Sequence, residues 1–92
     1  MTVRFTQSAS KHGFTLEQAL YAIEHAEGHV EKFTDPQPPA TIRPDLFIGP
    51  ASLHDHRLIE VFINVLGRTS FTIFHVMYAT EENLNKIGRS YR

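Results

Sequence analysis

With 92 residues, 41% of them hydrophobic and 21% charged, and a net charge of −1 at pH 7, the chain has the make-up of one small globular domain. Near-neutral charge excludes a protein that grips nucleic acid by bulk positive potential, so any RNA contact must come from a local basic patch or a larger assembly. Cysteine is absent, which excludes a disulfide framework and a thiolate metal site.

In chain order, MTVRFTQSAS lacks an apolar signal core, and no apolar run approaches the ~18 residues of a membrane span. A cytoplasmic protein without membrane association is expected. Val3–Thr6 alternates apolar and polar residues and predicts a short edge strand. Gln7–His12 is polar and ends at Gly13, a residue suited to the left-handed conformation that closes a helical turn. Thr15 followed by Gln18 forms a capping box, and Phe14 can staple onto the helix it opens. Leu16, Ala19, Leu20 and Ile23 recur at helical spacing, predicting a helix over Thr15–Glu27 that Gly28 stops.

His29–Thr34 alternates weakly and predicts a strand. Asp35–Pro44 is rich in proline, which removes backbone donors and holds its neighbours extended, so a stiff loop is expected there. Asp45–Gly49 is a short apolar strand, and Leu53–His56 is a turn. Leu58–Leu66 and Ser70–Tyr78 are rich in Val, Ile, Phe and Tyr, and Gly67-Arg68-Thr69 joins them as an antiparallel hairpin. Thr80 before Glu81 and Glu82 marks the start of a last helix. The expectation is an α+β fold in a single domain. It comprises a small antiparallel sheet of three to five strands, N-terminal helices packed on one face, and a short C-terminal helix. The opposite face is left as the functional surface.

Several residues could carry chemistry on that surface. His54, Asp55 and His56 cluster in the turn, but two imidazoles at i, i+2 lack a third fixed ligand, so no metal and no cofactor is expected. His25 and His29 lie four apart with Gly28 between them. Along Leu58–Leu66, Ile59, Val61, Ile63 and Val65 form an apolar set that belongs to the core, leaving Glu60, Phe62 and Asn64 on the other face. If Phe74 and Val76 join the core, His75 falls beside Glu60 and Asn64, where an imidazole near a carboxylate is usable for acid–base work. Strict alternation, however, also puts Phe71, Ile73 and Met77 on the face of His75, which would make that face a core. Arg4, Lys11 and His12 form a small basic patch, and Glu82 and Lys86 are spaced as a helical ion pair.

Three stretches resemble the BrnT-type toxins of the RelE/ParE-like superfamily. Lys11-His12-Gly13-Phe14-Thr15-Leu16-Glu17-Gln18-Ala19 is similar to the family's opening K-H-G and capped helix. Phe47-Ile48-Gly49 and Arg57-Leu58-Ile59-Glu60-Val61 resemble its central strand pair, and Ala79-Thr80-Glu81-Glu82 resembles the segment that opens its last helix. The resemblance implies RNA cleavage that halts translation, with an antitoxin as partner, RNA or the ribosome as target, and a homodimer or toxin–antitoxin hetero-oligomer as assembly. It matches Lys11 and His12 to the N-terminal basic pair, Arg57 to the arginine entering the central strand, and Glu82 to an acidic residue of the last helix. Where the family carries Arg or Lys before the A-T segment, this chain has Met77 and Tyr78.

Together these readings predict a metal-independent endoribonuclease. His75, Tyr78 and Glu60 are its expected catalytic groups, and Lys11, His12, Arg57 and Lys86 its expected substrate-binding groups. The alternative is a non-catalytic protein-interaction module of the same fold, with an apolar open face built from Phe62, Phe71, Ile73 and Met77.

Overall fold

The structure is a computed structural model that describes residues 2–35 and 42–88. Five strands form one sheet in the order β1-β5-β4-β3-β2. They are β1 (Thr2–Phe5), β2 (Gly28–Val30), β3 (Asp45–Ser52), β4 (Asp55–Val65) and β5 (Ser70–Tyr78). Among the described residues, two α-helices, α1 (Leu16–Glu24) and α2 (Glu81–Lys86), and a 3₁₀ turn (Ala9–His12) accompany the sheet. The α+β class stands, but the sheet is mixed where an antiparallel one was expected. β1 runs parallel to β5, with Val3 opposite Phe71 and Phe5 opposite Ile73. The reason is connectivity: the first strand is followed by helix and reaches β5 only through the whole intervening chain, so no hairpin constrains its direction.

The capping residues that the sequence points to do open both helices. Thr15 Oγ1 accepts from the Gln18 N–H at 3.2 Å, and the Thr15 N–H donates to Gln18 Oε1 at 2.9 Å, a complete capping box. The helix stops at Glu24 with His25 as its cap, earlier than the spacing predicts, and Gly28 opens β2 instead of ending the helix. Ala19 and Ala22 are fully buried, with Leu16, Leu20 and Ile23 half-buried beside them. Gly49 lies directly under α1, where an added Cβ would collide with the Ala22 carbonyl. A glycine there is what lets helix and sheet approach so closely. At the other end, Thr80 Oγ1 accepts from the Asn83 N–H at 3.2 Å and caps α2. The proline loop 36–41 lies outside the described residues.

The two faces of the sheet carry two apolar clusters. Ile59, Val61, Ile63, Ile73 and Val76 pack with Ala19, Ala22 and Phe14, while Leu46 and Ile48 pack with Leu84, Phe62 and Phe33. Val65, assigned to the core by alternation, is 46% exposed at the hairpin end. The decisive irregularity is in β5. Val61 pairs with Val76 and Phe62 with His75, but Ile63 pairs with Ile73, so Phe74 is an extra residue with no partner on β4. A bulge of this kind shifts side-chain parity by one. Phe71 and Ile73 therefore join the α1 cluster, while His75 stays opposite Phe62 on the other face. The conflict that strict alternation raised over His75 disappears at Phe74.

Candidate active site

Glu60 projects from β4 and is 2% exposed. A carboxylate removed from water needs partners, or it takes up a proton. The His75 Nε2–H donates to Glu60 Oε2 at 2.9 Å, and the Thr80 N–H donates to Glu60 Oε1 at 2.8 Å. Burial pushes the Glu60 carboxyl up, but the bonds from His75, the Thr80 backbone and the Asn83 side chain outweigh it and hold the group below the ordinary glutamate range. Glu60 is therefore ionised at neutral pH and can only accept. That assigns the proton of neutral His75 to Nε2 and leaves Nδ1 as its basic nitrogen.

The ring of His75 is held on its other side too. Phe62 stacks on it with centroids 4.1 Å apart and planes 29° apart. The His75 side chain is 25% exposed, so it is both fixed and reachable. It opens onto a groove of about 510 Å³ lined by Phe33, Phe62, Phe74, Asn64, Asn83 and Lys86, among others. Lys86 Nζ sits 5.1 Å above the Phe33 ring, a cation over an aromatic face at the groove wall. Asn64 Oδ1 is buried there with no hydrogen-bond partner among the described residues.

His12 approaches from the sheet edge. β1 ends at Phe5, and the 3₁₀ turn takes its place alongside the bulged end of β5. The Ser8 hydroxyl donates to the carbonyl of Phe74 at 2.8 Å, and Ala9 is fully buried in the α1 cluster. Gly13 closes the turn at φ 86°, a conformation that glycine adopts without strain. His12 thereby stands with its ring centroid 6.1 Å from that of His75, edge to face. The bulge residue thus positions both imidazoles, through its effect on parity and through its carbonyl.

Of the residues singled out in the sequence, His75, Glu60, His12 and Lys86 converge. Lys11 lies in a shallow depression with Gln7, Ser8 and Ser10. Arg57 and Tyr78 belong to the opposite face. Tyr78 pairs with Ile59 and packs edge-on against Phe14 with centroids 5.1 Å apart, and the Arg57 guanidinium lies 4.7 Å over its ring. Arg57 also holds Asp55 in a fork, Nε to Oδ1 at 2.9 Å and Nη2 to Oδ2 at 2.8 Å. The guanidinium keeps the Asp55 carboxyl low, at about 2, and Asp55 in turn raises the arginine. Their separation from His75 follows from parity, since Tyr78 is three residues past it on the strand.

Three contributors escaped the sequence reading: the Phe74 bulge, the Phe62 stack and the Asn83 side chain. Asn83 does carry a signal, because it stands three residues after the Thr80 cap, one turn into α2. Comparison with known protein families, curated proteins and solved structures found no match in any of the three.

Proposed function

We propose that the protein is an RNA-cleaving toxin of a toxin–antitoxin pair, and that His75 is the general base of a metal-independent cleavage. The observation that carries the reading is the Glu60–His75 pair at 2.9 Å, fixed by a stacked phenylalanine and open to an aromatic groove. RNA brings its own nucleophile, the ribose 2′-hydroxyl, so cleavage needs a base, charge neutralisation and orientation. Nδ1 of His75 is the base, and Glu60 holds the tautomer and stabilises the imidazolium that forms, as the carboxylate of a Ser-His-Asp triad does for its histidine. Lys86 lines the groove and suits a phosphate. Phe33, Phe62 and Phe74 suit unstacked bases, which bind single-stranded RNA through aromatic faces whatever its net charge.

An antitoxin would silence such a site by covering the groove mouth. The interaction-module alternative needed Phe71 and Ile73 on the open face, and both pack in the α1 cluster instead. Among the described residues no helix is long and apolar enough to cross a membrane.

The test is cleavage of a mixed-sequence RNA in the presence of EDTA. Fragments ending in a 2′,3′-cyclic phosphate are expected from the wild type, and a rate lower by ~10²–10⁴-fold from His75→Ala. Growth arrest on expression without an antitoxin, relieved by the same substitution, is the cellular counterpart. Intact RNA in every condition, or a fully active His75→Ala protein, would overturn the reading.

A further inference from the structure

We infer that His12 is the general acid of this site, protonating the leaving 5′-oxygen; the inference rests on the ribonuclease reading of His75. The resemblance treats His12 as half of a basic pair that holds substrate. Its placement supports a more specific role. The ring is exposed, but its backbone is tethered at two points, the Ser8–Phe74 bond and the buried Ala9. Its centroid stands 6.1 Å from His75, a separation at which both rings can address atoms of one phosphodiester.

Two imidazoles at one linkage divide the proton traffic. Nδ1 of His75 takes the proton of the 2′-hydroxyl, and the freed oxygen pair forms the P–O2′ bond. The P–O5′ bond breaks, its electrons pass to O5′, and the His12 imidazolium delivers a proton there. The products are a 2′,3′-cyclic phosphate and a 5′-hydroxyl, and no oxidant or second substrate is consumed. Imidazole changes protonation between about pH 5 and 8, so one ring can be neutral while its neighbour is charged. The two rings also differ in how they are held. Glu60 binds His75 and reserves its Nδ1 as a base, whereas no carboxylate is paired with His12 among the described residues.

Sulfur substitution separates acid catalysis from binding. A linkage that the wild type cuts in mixed-sequence RNA is built into two oligonucleotides, one with the natural 5′-bridging oxygen and one with 5′-bridging sulfur. A thiolate departs without a proton. His12→Ala and His12→Gln are expected to lose ~10²–10⁴-fold on the oxygen linkage and to cut the sulfur linkage near the wild-type rate. His75→Ala should be impaired on both. Circular dichroism confirms that each variant is folded. Equal loss of His12→Ala on the two linkages would make His12 a binding group and overturn the inference while leaving the ribonuclease reading intact. So would full activity on the oxygen linkage. A wild type that cuts neither oligonucleotide overturns both.

Discussion

Glu60 on β4 and His75 on β5 meet at 2.9 Å, and they do so one pair away from a break in the register of the same two strands. The break matters more than the bond. Without the extra residue at Phe74, the buried Ile73 and the half-buried His75 would share a face, and the α1 core and the Glu60–His75 pair could not both form. The bulge thus lets one nine-residue strand give Phe71, Ile73 and Val76 to the α1 core while Phe74 and His75 line the groove.

Glu60→Gln tests the role of the carboxylate. A carboxamide can donate to His75 Nε2, which would move the ring proton to Nδ1 and remove the base. RNA cleavage should fall ~10²–10⁴-fold, although the Thr80 N–H still finds an acceptor in the new side chain. Kinetics on a folded variant check this; a rate near wild type would remove Glu60 from the mechanism.

The same residue couples folding to pH. Its folded-state carboxyl titrates below the ordinary glutamate value of 4.5, so the unfolded chain binds the proton more tightly. The associated stability is fully present above that value and is lost as pH falls below it, through the lower folded value. Urea unfolding between pH 7 and pH 3 should show the wild type losing more stability than Glu60→Gln. Parallel curves would contradict the assignment.

Phe74→Ala addresses the groove. If the ring stacks on a base, its loss should weaken RNA binding by ~1–3 kcal/mol, seen as a raised KM with kcat largely kept. A change confined to kcat would point instead to disturbance of the bulge and the two histidines it places.

Arg57→Gln and Tyr78→Phe provide the opposite test. Both residues sit on the α1 side of the sheet, paired with Asp55 and Phe14. RNA cleavage should be unchanged in either variant, and a large loss would mean that substrate reaches across to the far face.

Gly49→Ala concerns the scaffold. The new methyl group would meet the Ala22 carbonyl, and overpacking of this kind costs ~1–3 kcal/mol. A lowered urea midpoint with an unchanged slope is expected. The opposite result would show that α1 can lift from the sheet at no cost.

What the sequence by itself determined is the local grammar. The Thr15–Gln18 box, the Thr80 cap, the hairpin around Gly67 and the alternation of Ile59, Val61 and Ile63 all depend on neighbours a few residues apart. Those interactions leave a periodic trace in the chain. The placement of His75 beside Glu60 was legible only on the condition that Phe74 and Val76 joined the core, because alternation counted from the turn puts His75 on the face of Ile73. Of these two, Val76 alone joins it. Tertiary structure alone decided the rest. The parallel pairing of β1 with β5 joins residues 68 positions apart and has no turn to announce it. The bulge at Phe74 arises because the core takes both Ile73 and Val76, a preference of packing that no period of two can express. His12 reaches His75 because Ser8 binds the bulge carbonyl across 66 positions and Ala9 is buried in the α1 cluster. Contacts of that range are chosen by which surfaces fit when the chain closes, and the side chains that make them carry no mark of it in their own segment.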